Sequence, residues 1–93
     1  MSAPLASPPK KRAILNGDGL RDAAAQAVAD SGLTQARVAS VVAERIAGRD
    51  RPPSPAAISN AVRESSSKVE ALQLDIIRAL TGASLTGPLY RVD

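Results

Sequence analysis

From Leu20 to Leu80 the apolar residues of this chain recur at three- and four-residue spacing, and Gly, Pro and small hydroxyl residues interrupt that rhythm. A pattern of this kind admits helices and leaves little room for a sheet. Val38, Val42 and Ile46 form an i, i+4, i+8 stripe, widened by Ala39, Val41 and Ala43. Leu20, Ala24, Ala27 and Val28 form a second stripe, and Val69, Leu72, Ile76, Ile77 and Leu80 a third. A shorter one runs through Ala57, Ile58, Ala61 and Val62. The punctuation agrees with the stripes. Asp18 is placed to cap a first helix, Leu20 to about Asp30, which Gly32 stops; Thr34 caps a second, Gln35 to about Ala47, which Gly48 stops. Ser54 and Pro55 open a third helix that ends in Glu64-Ser65-Ser66, the serine as N-cap and the proline at the first helical position. Ser67 and Glu70 have the spacing of a capping box at the start of a fourth, which runs to about Thr81 before Gly82. The expected fold is all-α, a compact four-helix domain.

What fills such a domain is restricted. The chain has no Phe, Trp, Cys or His, and one Tyr and one Met. Its interior must be Ala, Val, Leu and Ile. In 93 residues that allows one small core. At ~25 cal/mol per Å² of buried apolar surface, such a monomer is only marginally stable, so a homodimer is expected. The absence of Cys and His removes most metal sites, thiol nucleophiles and imidazole bases. No pairing of Ser, Lys and carboxylate residues stands out in their place. The expectation is a protein that is not an enzyme and takes no metal and no cofactor. No apolar run is long enough to span a bilayer, and no hydrophobic region follows Lys10-Lys11-Arg12 as it would in a secretory signal. A cytoplasmic location without membrane partners is expected, and the lack of Cys is compatible with it.

Twelve Lys plus Arg against nine Asp plus Glu give a net charge of +3. This mild basic bias suits nucleic acid without demanding it. The third helix gives the bias a direction. Opposite its apolar stripe, Ala56, Ser59, Asn60 and Arg63 fall at i, i+3, i+4 and i+7. That face is small at its start, hydroxyl and amide in the middle and cationic at its end. It has the chemistry to enter the major groove of DNA and bond to base edges.

The run Ala57-Ile58-Ser59-Asn60-Ala61-Val62 resembles the recognition helix of the lambda repressor-like, Cro-type helix-turn-helix family of phage transcriptional regulators. Leu33-Thr34-Gln35-Ala36-Arg37-Val38-Ala39 resembles the opening of that motif's first helix, and Leu72 to Leu80 its closing amphipathic helix. These pieces cover about half the chain, and their order matches. The resemblance implies a helix-turn-helix domain over residues 13–82, with recognition helix 55–65 in the major groove. It implies base contacts from Ala56, Ser59, Asn60 and Arg63, and a phosphate contact from Gln35 that fixes the register. Asn60 can pair bidentately with adenine, and Arg63 with guanine or a phosphate. Pro55 and Ala56 stand where the family often carries polar reading residues, so they leave thymine-methyl contact and DNA shape to supply part of the readout. The interval from Gln35 to Ser54 is longer than the family's by roughly two helical turns' worth of residues. A second alignment places Val42 to Gly48 on the motif's first helix and demotes Gln35; both alignments fit the residues.

Further cations are placed to meet phosphates: Arg37 beside Gln35, Arg49 and Arg51 in the 48–53 turn, Lys68 at the start of the fourth helix, and Lys10, Lys11 and Arg12. Arg49 and Arg51 are equally well explained as loop charges that Asp50 partly neutralises, and for Lys68 a solvated lysine is the commoner case. Residues 1–12, rich in Pro, Ser and Ala, read as a disordered basic arm, either lying along phosphates or a minor groove or simply solvated. Residues 83–93 read as a C-terminal tail in which Leu89-Tyr90-Arg91-Val92 alternates weakly and fits a short strand, a candidate dimerisation element.

Two functions compete on these grounds. One is a sequence-specific double-stranded DNA-binding regulator, homodimeric on a palindromic or pseudo-palindromic operator, which blocks or recruits RNA polymerase. The other is a helical protein-interaction module of the antitoxin or adaptor kind, in which Asn60 and Arg63 belong to a solvated face. A non-specific DNA coater is a third. The chain offers no stacking platform except Tyr90, which argues against RNA.

Overall fold

The computed structural model describes residues 5, 18–46, 53–83, 85–86 and 91–92. It holds four helices: α1 (Asp18–Ser31), α2 (Gln35–Arg45), α3 (Pro55–Ala61) and α4 (Ser67–Thr81). Two two-residue strands follow, β1 (Leu85–Thr86) and β2 (Arg91–Val92), paired antiparallel with Leu85 opposite Val92 and Thr86 opposite Arg91. The expected all-α, four-helix architecture is what the chain forms. The tail strand expected around Leu89–Val92 falls partly on β2, and its partner is β1.

The helices start and stop where local chemistry satisfies their free backbone groups. Thr34 is extended and its Oγ1 accepts from the Arg37 amide at 3.2 Å, which opens α2. Gly32 (φ 67°) and Gly82 (φ 72°) take the left-handed conformation that ends α1 and α4. Ser31 donates to the Val28 carbonyl at 2.7 Å and accepts from the Leu33 amide at 3.2 Å, so the three-residue join between α1 and α2 leaves little unpaired. Thr81 does the same at the end of α4, donating to the Ile77 carbonyl and accepting from the Ala83 amide.

Four boundaries differ from expectation. Asp18 lies inside α1 and does not cap it. The second helix ends at Arg45, with Ile46 extended at φ −101° and ψ 115°, two residues short of the expected Ala47. The third ends at Ala61 instead of continuing through residue 65. At the fourth, the N-cap is Ser66, one residue before the expected cap, and its side chain makes no capping bond. Ser67 is the first helical residue and does not occupy the N-cap position that a capping box with Glu70 requires.

The core is aliphatic throughout the described residues: Leu20, Ala24, Ala27, Val38, Ala39, Val41, Val42, Ile58, Ala61, Leu74, Ile76, Ile77, Ala79 and Leu80 are buried. α4 is its axis, with α1, α2 and α3 all packed against it, and α2 also packs on α3. The stripes expected from spacing supply most of these residues. Val28, Ile46, Val62, Val69 and Leu72 line the edge and are partly buried. Leu5 also packs there and donates its amide to the Leu80 carbonyl at 2.7 Å. It is the one described residue of the expected N-terminal arm.

Two substitutions separate packing from backbone strain. Ile58 has no exposed surface, and Ile58→Ala should cost about 2–5 kcal/mol in denaturant unfolding, because α3 has only one other buried side chain, Ala61. A Cβ at residue 82 would have nothing within 4 Å, so Gly82→Ala should lose only the left-handed backbone preference, about 1–2 kcal/mol, with the native fold retained by circular dichroism.

Candidate nucleic-acid interface

The third helix is short enough that each of its seven residues has a definable job. Ser54 is extended (φ −72°, ψ 155°) and its Oγ accepts from the Ala57 amide at 3.1 Å. Pro55 occupies the first turn, where an absent N–H is harmless. Ile58 and Ala61 face the core, and Ala57 and Val62 are half-buried beside them. Ala56 and Asn60 are exposed on the other side and Ser59 is half-buried between them. Those three expected base-contact residues therefore share the outward surface of one helix.

Arg63 reaches that surface by a different route. It is exposed and belongs to the turn after α3, beyond the Val62 cap (φ −86°, ψ −3°), so the i+7 position of a continuous helix does not exist. Its Nε donates to the Ser59 carbonyl at 3.3 Å, which folds the side chain back along α3. The guanidinium is brought beside Ser59 by that bond.

The turn is closed by main-chain bonds, with Arg63 and Glu64 amides both donating to the Asn60 carbonyl at 3.1 and 2.9 Å. Behind it lies a residue that spacing did not single out. Gln73, in the middle of α4, is 1% exposed, and its Nε2 donates to the Ala61 carbonyl at 2.8 Å and to the Glu64 carbonyl at 2.7 Å. The Ala61 carbonyl would accept from residue 65 if α3 continued. Gln73 takes it instead, which accounts for the helix ending at Ala61. No buried side-chain nitrogen or oxygen among the described residues lacks a partner. A second tie lies at the surface: Ser65 donates to Asp18 at 2.5 Å and accepts from Arg21 at 3.1 Å, and Arg21 also pairs with Asp18 at 3.3 Å and Asp22 at 3.0 Å. Asp18 and Asp22 are 74% and 71% exposed, so these pairs are worth at most ~1 kcal/mol. Each carbonyl that Gln73 satisfies would cost about 1–3 kcal/mol if left buried and unpaired. The interior tie dominates.

The expected phosphate contacts are scattered over other elements. Gln35 and Arg37 are exposed in the first turn of α2, and Lys68 is exposed at the second residue of α4. Arg37 pairs with Glu44 at 3.8 Å, but both side chains are more than half exposed, so the pair competes weakly with a phosphate. Lys10, Lys11, Arg12, Arg49 and Arg51 lie outside the described residues, as does the 48–52 part of the long turn. Among the described residues, no cluster of three or more His, Cys, Asp or Glu side chains is arranged to hold a metal, and no helix is long and apolar enough to cross a membrane.

Ser54→Ala should lower stability by about 0.5–2 kcal/mol and raise amide hydrogen exchange at Ala57 before the other helices, because α3 is only two turns long.

No protein-family model, no curated protein and no solved structure matches the chain.

Proposed function

We propose that this protein is a sequence-specific double-stranded DNA-binding transcriptional regulator, acting as a homodimer on a palindromic or pseudo-palindromic operator. The observation that carries the reading is the outward surface of α3. A helix capped at its first turn and anchored by Ile58 and Ala61 presents Ala56, Ser59 and Asn60 to solvent, with Arg63 folded beside them. Seven residues at ~1.5 Å each make about 10 Å of helix, which fits a major groove about 12 Å wide. Asn60 is exposed on that surface and has the two-sided amide that adenine N6 and N7 demand. Arg63 gives guanine or phosphate contact. Gln35, Arg37 and Lys68 are exposed and supply phosphate contacts that position without reading sequence. The net charge of +3 favours association with a polyanion. The lambda repressor-like resemblance of residues 33–39, 57–62 and 72–80 agrees with this order of elements. Two copies would set their α3 helices about 34 Å apart in successive major grooves, and the bound dimer would block or recruit RNA polymerase in the cytoplasm. A phage or other mobile element is the source that the resemblance favours.

Roles within the surface are separable by mutation. Asn60→Ala should lose about 1–3 kcal/mol of discrimination at one base pair of each half-site while leaving binding to unrelated duplexes nearly unchanged. Arg37→Ala and Lys68→Ala should weaken every duplex alike, each lowering the salt slope by about 1. Fluorescence titrations against a preferred and a scrambled duplex at several salt concentrations give both quantities. Equal losses on all duplexes from all three variants would remove α3 from the readout. No binding by the unmutated protein would leave the protein-interaction module.

A further inference from the structure

We propose that Gln73 is a positioning residue for DNA readout: by holding the carbonyls of Ala61 and Glu64 it fixes the direction in which Asn60 and Arg63 project. This rests on the DNA reading of α3 given above.

The two ends of α3 are built differently. Its start has a side-chain cap from the neighbouring Ser54. Its end has no glycine in the left-handed conformation, and Val62 sits near φ −86° and ψ −3°. What defines the exit is a knot of hydrogen bonds. The Arg63 and Glu64 amides converge on the Asn60 carbonyl, while the Ala61 and Glu64 carbonyls converge on the Gln73 amide group. Arg63 therefore lies between two carbonyls held by one side chain of α4, and Asn60, one residue before them, is tied to the same turn through its own carbonyl. Both hydrogens of that amide are used, and the bond to the Ala61 carbonyl is buried, so water cannot readily replace it there; the bond to the Glu64 carbonyl is part-buried. The surface tie from Ser65 to Asp18 and Arg21 is open to solvent and cannot hold the segment to the same tolerance. Base-edge contacts need side chains placed within about 0.5 Å. Phosphate contacts from flexible, exposed lysines and arginines do not. Disturbing Gln73 should thus damage sequence reading and spare general affinity.

The test uses the full chain and two variants. Gln73→Glu keeps the shape of the side chain but removes both N–H donors. Gln73→Met removes them without adding charge, and carries the comparison if the carboxylate prevents folding. Each is titrated against the preferred duplex and against the same duplex changed at the base pair that Asn60→Ala identifies. Amide hydrogen exchange at Arg63 and Glu64 is followed in parallel without DNA. At about pH 8, both variants should lose about tenfold or more in the affinity ratio between the two duplexes. Affinity for scrambled duplex should change by less than about twofold, as phosphate contacts are untouched. Exchange at both amides should rise. For Gln73→Glu the ratio should recover partly near pH 5, because burial raises the carboxyl pKa and its protonated form regains one donor. A packing role alone would give neither the pH dependence nor the split between the two affinities. Variants that keep the wild-type ratio and exchange at pH 8 would overturn the positioning role and leave the DNA reading standing. A wild-type protein without any preference between duplexes would overturn the DNA reading itself, and that result is visible before either variant is used.

Discussion

Aliphatic side chains make up nearly all of the interior that the four helices share, and this restriction governs how the domain is put together. With no aromatic ring buried among the described residues, each buried side chain removes little surface from water, so the helices must approach closely to form a core at all. Ala24, Ala27, Ala39, Ala61 and Ala79 are the residues that permit it, one or more on every helix. Leu20, Ile58, Ile76, Ile77 and Leu80 supply the bulk between them. A close-packed core of this kind fixes where the helix axes lie. It has less hold on the ends of the elements, which are pinned by individual polar contacts instead. Thr34, Ser54 and the glycines at 32 and 82 act locally, Arg45 reaches the Ala79 carbonyl at 3.1 Å from the end of α2, and Gln73 reaches the end of α3.

That division of labour matters most at α3. A seven-residue helix in isolation is well below the length at which helices are stable in water. It exists because Ile58 and Ala61 are buried against the other helices, because Ser54 supplies an amide partner at one end, and because α4 supplies carbonyl partners at the other. Its outward residues are thereby held on a rigid support without contributing to the core themselves. A surface with a polar, hydrogen-bonding character on a helix so firmly fixed is well suited to recognition of a rigid partner such as duplex DNA.

Much of this was legible in the sequence, where the signals were local. Ser54 with Pro55, Thr34, Gly32 and Gly82 all act within one turn of their own position, and each does what its residue type suggests. The apolar stripes gave the core because period is a property of one helix at a time. What escaped depended on partners distant in sequence. Gln73 sits between Leu72 and Leu74 and looks like a polar interruption of an apolar stripe, since its acceptors are backbone carbonyls nine and twelve residues earlier. The early end of α3 follows from the same bonds, so the position of Arg63 off the helix was equally hidden. The run of serines at 65–67 offered three possible caps, and spacing chose Ser67 where the backbone uses Ser66. The outward placement of Ala56, Ser59 and Asn60 needed only helical periodicity and the identity of the buried face.

The central claim is that α3 reads DNA sequence. The most direct measurement is selection of bound fragments from a random duplex library by the unmutated full chain, followed by titration of the enriched sequence against salt. The account predicts a two-fold-related motif with half-sites about 10 bp apart, and log-affinity falling with log-salt at roughly −0.9 per phosphate contact. A library that emerges unenriched, whether the protein binds every duplex weakly or none, would contradict it.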